Sequence, residues 1–290
     1  MEAWASMVIL CADDYALSSG VARAVGELSA ARRLSATSVL VTAAHWPGLA
    51  PRLSVHRGHL AIGLHFNLTL GSPLGKMPKL APSGTLPSLT KLLGTALLGL
   101  VDRSEIRDEL ERQLDHFERG LSFPPDQVDG HQHVHVVPGI REVVLETLAR
   151  RYPTLPPLVR DPSDRWEAIA ARPSAKSKAA VVATLALGFA AAARRRGLPT
   201  NQGFSGFSKF DVSVPYAREL EEALKHLGAR PLVMCHPGHP DAEPAHGDPV
   251  AARRRMEYDA LMADRALPQR IWRPARSAGG PPVDWENVWS

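Results

Sequence analysis

The stretch MVILCADDYALSSGVARAVGELSAARR, residues 7–33, decides the fold. Residues 8–12 form a short apolar run that reads as a buried strand, broken by the carboxylates Asp13 and Asp14. A Ser-rich turn follows, and residues 20–33 then carry apolar side chains at helical spacing. Strand, polar turn and helix make one βα unit, in which polar residues just past the strand sit where parallel α/β folds place their sites.

The pattern repeats outward from there. Strands are expected at residues 38–41, 60–66, around Val128, at 158–160 and at 231–235, with helices at 104–119, 139–150, 216–227 and 249–265. Ser104 is expected to cap the helix that it opens. Residues 162–200 form a Pro- and Ala-rich insertion containing one apolar helix at 179–193, and residues 203–207 read as a Gly/Phe loop. With no internal repeat and no Gly/Ser linker, residues 1–290 read as a single α/β barrel domain carrying that insertion. Prolines at 47, 73, 78, 138, 237 and 240 stiffen the loops after strands.

Composition narrows the function. Hydrophobic residues make up 44% of the chain and the net charge is only +4, from 34 Lys+Arg against 30 Asp+Glu. Aromatics are 6%, and no basic stripe accompanies them, so a nucleic-acid partner is not expected. The runs Arg194-Arg195-Arg196 and Arg253-Arg254-Arg255 read as solvated helix faces. Residues 179–193 are too short to span a bilayer, so no integral membrane segment is expected. The N-terminus lacks a basic leader, and Cys11 and Cys235 read as small buried hydrophobes; together these point to a cytoplasmic protein.

Four polar clusters stand at expected strand ends: Asp13-Asp14, His65, residues 129–135 (DGHQHVH), and His236 in a Pro/Gly-rich turn. Two adjacent carboxylates repel one another unless a cation intervenes, in which case one can coordinate it while the other accepts a proton from water. If residues 129–135 stay extended, Asp129, His131, His133 and His135 share one face, and imidazoles so spaced suit a divalent metal. Asn67 and Thr69 would extend the polar face beyond His65.

With these motifs the chain resembles the YdjC-like carbohydrate deacetylases. The resemblance runs through residues 12–18 (ADDYALS), 63–69 (GLHFNLT), 129–135 with Pro138, and 235–238 (CHPG). It implies a deformed (β/α) TIM-like barrel of the polysaccharide-deacetylase (NodB-like) kind and hydrolysis of an N-acetyl group on an amino sugar, an oligosaccharide or a glycolipid head group. It implies one divalent metal ion on Asp14, His65 and His131, with Asp13 as general base, His236 as acid and Arg160 pairing with Asp13. His133, His135, Asn67 and Asp129 are additional candidates. The metal is Mg²⁺ or Zn²⁺, with Co²⁺, Ni²⁺ and Mn²⁺ also fitting two imidazoles and a carboxylate. The expected partner is a small carbohydrate, and the family suggests a homodimer. The sequence departs from the family at Ala16, where Gly is usual; if that position needs positive φ, Ala strains the loop. A metal-dependent phosphoesterase and a non-catalytic carbohydrate- or metal-binding protein are the rival readings.

Overall fold

The computed structural model describes residues 7–241, 248, 250–277 and 279–288. Residues 1–6 of the expected N-terminal reading and Pro249 of the expected last helix lie outside them.

Seven strands form one parallel sheet: β1 (Ile9–Tyr15), β2 (Ala36–Val39), β3 (Ala61–Phe66), β4 (Gln127–Gly130), β5 (Leu158–Val159), β6 (Phe204–Ser205) and β7 (Leu232–Cys235). Their order is β5-β4-β3-β2-β1-β7-β6, so neighbours in the chain are neighbours in the sheet except β5 and β6, which lie at opposite edges, and β7 packs beside β1. The sheet curls into a half-barrel and β5 does not pair with β6. Asn201 bridges that gap: its side chain accepts from Asp161 N (2.7 Å) and donates to Asp161 O (2.8 Å) and Gly203 O (3.1 Å).

The helices are α1 (Ser19–Ala30), α2 (Trp46–Ser54), α3 (Leu89–Leu97), α4 (Arg103–Leu121), α5 (Ile140–Arg151), α6 (Trp166–Ala171), α7 (Lys176–Leu185), α8 (Phe189–Arg194), α9 (Tyr216–Ala223), α10 (Ala251–Ala263), α11 (Leu267–Arg270) and α12 (Trp285–Val288). Strand alternation divides the apolar residues between two cores. Leu10, Ala12, Val39, Ile62, Leu64, Val128 and Val233 point outward beneath the helices, while Ile9, Cys11, Ala36, Ala61, Leu158, Phe204 and Leu232 point into the barrel. Trp285 closes the barrel floor and its indole N–H donates to Asp126 O (2.5 Å). Gly63 is required inside: a Cβ there would stand 2.2 Å from Gln127 Cγ.

Several local expectations are corrected. The cap of α4 is Asp102, whose carboxylate accepts from Ser104 N (2.9 Å) and Glu105 N (3.1 Å), so Ser104 lies inside the helix. Phe204 and Ser205 are not loop but the edge strand β6, paired to Leu232 and Val233. The apolar helix at 179–193 is two helices, broken by Gly188 in the left-handed region (φ 77°). By length and composition alone the segment Lys176–Arg194 is long and apolar enough to cross a membrane, with mean hydropathy 1.3, but the break at Gly188 leaves no continuous helix of that length within it. The arginine run on α10 is not a solvated face: Arg253 and Arg254 are buried.

Candidate metal and catalytic centre

The C-terminal strand ends converge on a cavity of about 770 Å³ lined by Asp13, Asp14, His65, His131, His236 and Arg254 among others. A register shift in the β1–β2 pairing falls between Ala12 and Tyr15, and Asp14 takes a left-handed backbone (φ 65°). This bulge turns both adjacent carboxylates to the cavity while pointing them at different partners.

Asp14 faces the two imidazoles. Its Oδ1 lies 3.4 Å from His65 Nε2 and 3.2 Å from His131 Nδ1, and one donor atom from each of the three falls within 4.8 Å of the other two. Its other oxygen accepts from Arg254 Nη2 (2.7 Å), which leaves Oδ1 for a cation. Burial pushes the Asp14 carboxyl up, but Arg254 and the hydrogen bonds from His131 and His65 outweigh it and hold the group well below the usual carboxylate range.

His65 is oriented from behind. Its Nδ1–H donates to Asp129 Oδ1 (2.5 Å), with Ser38 Oγ 3.1 Å away, so Nε2 faces the cavity and Asp14, where a cation would take the place of its proton. Burial lowers the imidazole, yet Asp129, Asp14 and Asp13 together raise it to about 10, so a cation has strong negative potential to enter. Three convergent donors of this type, one carrying a carboxylate behind its imidazole, fit a divalent metal ion.

Asp13 lies deeper. Arg160 grips it with two bonds, Nη1 to Oδ2 (2.7 Å) and Nη2 to Oδ1 (2.6 Å), and Nη2 also meets Asp129 Oδ2 (2.5 Å). Burial raises the Asp13 carboxyl, but the guanidinium and nearby His65 and His236 pull it far below its ordinary value. Ser38 Oγ also donates to Asp13 Oδ1 (3.2 Å). Cys11, Asp13 and Asp129 form a second group of metal-type donors, but it surrounds the Arg160 guanidinium, and burial pushes the Cys11 thiol well up.

His236 follows β7 and faces the cavity beside Phe210, with ring centroids 5.5 Å apart. Burial brings its pKa down to about 4. The carboxylate of Glu257 fixes its backbone by accepting His236 N (2.5 Å).

The expected extended face at 129–135 does not exist. β4 ends at Gly130, and His131–Val136 forms a 3-10 turn with Gln132 and His133 in the left-handed region. Only His131 therefore joins the three-donor group. His135 turns away, donating from Nε2 to Arg160 O (2.7 Å). His133 lies on the cavity wall edge-on to Phe204 and Phe207, its Nδ1 without a partner among the described residues. Asn67 is also removed from the centre: β3 stops at Phe66, and Asn67 closes a turn through Thr42 Oγ1 (2.8 Å) and Leu70 O (2.7 Å). Asp129 touches His65 and Arg160 rather than the cavity.

Sequence reasoning missed Arg254, Asp248, Ser38 and Glu257. Arg254 Nε also pairs with Asp248 Oδ2 (2.7 Å). Helical spacing back from Leu261 through position 257 marks 253 and 254 as inward-facing, a signal that the arginine run obscured.

The family model described as YdjC-like protein matches residues 7–269. A carbohydrate deacetylase of Homo sapiens is 30% identical over 255 residues, covering 83% of this chain and 77% of that protein. A chitooligosaccharide deacetylase of Proteus mirabilis (strain HI4320) is 36% identical over 145 residues, 49% of this chain and 55% of that protein. Among solved structures, an Enterococcus faecalis V583 protein described by cellobiose-phosphate cleavage superposes with a TM-score of 0.66 at 18% identity, covering 98% of this chain and 99% of that one. That likeness is one of fold.

Proposed function

The chain belongs to the YdjC-like family, and from that premise we propose that it is a carbohydrate deacetylase that hydrolyses the acetamide of an N-acetylated amino sugar with a divalent metal ion. The observation that carries the reading is the pairing of a three-donor group, Asp14, His65 and His131, with a separate carboxylate, Asp13, in the same cavity. A protein that only bound metal would have no use for Asp13.

A divalent cation held by Asp14, His65 and His131 would polarise the acetyl carbonyl and make water acidic enough to attack at neutral pH. Asp13, kept ionised by Arg160, accepts a proton from that water. Each carboxylate oxygen has two lone pairs; Arg160 and Ser38 occupy both on Oδ1, but Arg160 takes only one on Oδ2, which leaves the other for the water. Asp129 holds the His65 tautomer. His236, neutral at rest, takes up a proton and delivers it to the departing nitrogen as the C–N bond breaks. His133, packed edge-on against Phe204 and Phe207, shapes the wall beside the substrate. Two imidazoles and one carboxylate favour Zn²⁺ over Mg²⁺, which prefers more oxygen ligands.

The phosphoesterase reading is less well supported, because such sites commonly pair two cations and Arg160 fills the second donor group. Both cysteines are free and buried, in keeping with the cytoplasmic placement. The test is acetate release from N,N′-diacetylchitobiose by metal-loaded protein and by Asp13→Asn. Turnover lost in the variant, with metal binding kept, is the expected outcome; equal turnover would remove Asp13 from the mechanism.

A further inference from the structure

His236 stands where the sheet gives out. The β1–β7 ladder ends at the pair Ala12 and Cys235, because the β1 bulge that turns Asp13 and Asp14 to the cavity begins at the next residue. The β6–β7 ladder has already stopped at Ser205 and Val233. His236 is therefore the first residue beyond β7 with no strand paired on either side, and its N–H needs an acceptor from elsewhere. That acceptor is Glu257 Oε2 on α10, 2.5 Å away.

A carboxylate is a costly way to satisfy one amide. Glu257 is 1% exposed, and the arginines beside it on α10 direct their charge elsewhere: Arg253 meets Glu219 Oε2 (3.0 Å), and Arg254 meets Asp14 and Asp248 (2.7 Å each). A neutral amide would accept the same N–H without a buried charge, so stability does not account for the choice. The same helix holds the rest of the turn. Arg254 O accepts from Gly238 N (3.0 Å), Arg254 Nη1 donates to His236 O (3.4 Å), and a Cβ on Gly238 would stand 2.9 Å from Arg254 Cδ. The His236 ring is thus flanked by Phe210 on the cavity side, while its own peptide N–H is tied to Glu257.

We propose that Glu257 is the positioning residue of the acid: it holds the His236 backbone so that the imidazole meets the departing nitrogen, and it acts on the reaction through His236. The acid role of His236 rests on the deacetylase reading; the α10 contacts stand without it. Burial pushes the Glu257 carboxyl up to about 7, against Arg254, Arg253 and the His236 N–H, so its charge, and with it the strength of the bond, changes in the neutral range. The groups that face it are Arg253 and Arg254 from α10, Glu219 and Tyr216 from α9, and Cys235 and His236 from β7 and its turn.

The test compares acetate release from N,N′-diacetylchitobiose by the zinc-loaded parent, Glu257→Leu, Glu257→Gln, His236→Ala and the double variant His236→Ala/Glu257→Leu, with zinc affinity measured alongside. Glu257→Leu should lose at least about tenfold in kcat with KM and zinc affinity within about twofold, because a misplacement of about 1 Å at the chemistry costs up to about a hundredfold. Glu257→Gln keeps an acceptor and should recover to within about threefold of the parent. In the His236→Ala background the Glu257→Leu change should cost less than about twofold, because the group it positions is gone. An undiminished kcat in Glu257→Leu, losses that multiply in the double variant, or a matching loss of zinc affinity overturns the proposal. Amide NMR separates it from the deacetylase reading: the His236 N–H signal should titrate near pH 7 in the parent and stay flat in Glu257→Gln. A titrating signal in a parent that releases no acetate keeps the Glu257 contact and removes the deacetylase reading. A signal that does not titrate in the parent overturns the proposal even where Glu257→Leu fails to fold.

Discussion

Replacing Arg160 by Met removes the guanidinium that two buried carboxylates share. In the folded protein Arg160 contributes three short contacts, two to Asp13 and one to Asp129, and all three side chains are almost wholly buried. Deleting one partner of such a group leaves uncompensated charge in the interior and costs about 3–5 kcal/mol. Part of that returns by protonation, since one of the two carboxylates can neutralise itself at a cost of about 1.4 kcal/mol for each unit that its pKa stands below the ambient pH. A net loss of about 3 kcal/mol at pH 7 is therefore expected from urea unfolding, larger at pH 8 than at pH 6. The acid limb of kcat/KM should also move to higher pH, because Asp13 loses the charge that keeps it ionised. Arg160→Lys keeps the charge without the two-pronged grip and should fall between. A loss below about 1 kcal/mol in Arg160→Met, independent of pH, would refute the shared-cation reasoning.

Other perturbations probe other parts of the site and fold. Ala16 is buried with φ 75°, so Ala16→Gly relieves about 1–2 kcal/mol of backbone strain but gives up a buried methyl and adds unfolded-state freedom, leaving stability within about 1 kcal/mol of the parent. Ala16→Val should lose more than about 2 kcal/mol in the same urea titration, because a β-branched residue resists that backbone. Burial lowers His135 to about 4, below its unfolded value near 6.5, so the folded state disfavours its charged form; stability should be full above pH 6.5 and fall by about 2 kcal/mol toward pH 5, a window above that of the carboxylates. A flat unfolding free energy from pH 6.5 to 5 would contradict this. Arg254→Met strips the counter-charge from Asp14 and Asp248, so the metal-free variant should melt lower than the parent and Zn²⁺ should restore a larger shift in Tm to it. Equal zinc-induced shifts would mean that Arg254 and the cation do not share Asp14.

The sheet was legible because its strands are short apolar runs that end in turns and alternate with segments of helical period. The edge strand β6 was not, since two residues between glycines carry no period and only their pairing to β7 makes them a strand. At the site, Asp13, Asp14, His65 and His131 could be read because packing gives a parallel strand no reason to end in carboxylates and imidazoles, whereas a site at that end of the sheet needs them. The single extended face expected for His131, His133 and His135 does not form, because period two holds only while the chain stays extended and the left-handed backbone at Gln132 and His133 breaks it. Asp102 displaced Ser104 as a cap by offering a carboxylate two residues earlier. Arg254 was hidden by its neighbours: an arginine run is usually solvated, and Asp14 lies 240 positions away, a distance that no local pattern spans.

The central claim, that this is a metal-dependent deacetylase working through Asp14, His65, His131 and Asp13, is tested most directly by acetate release from N,N′-diacetylchitobiose. EDTA-treated protein should be inactive, and Zn²⁺ or another divalent cation should restore release. Asp14→Asn should lose both metal binding and turnover, while Asp13→Asn should lose turnover alone. Acetate release that survives metal removal, or persists in Asp13→Asn, would contradict the account.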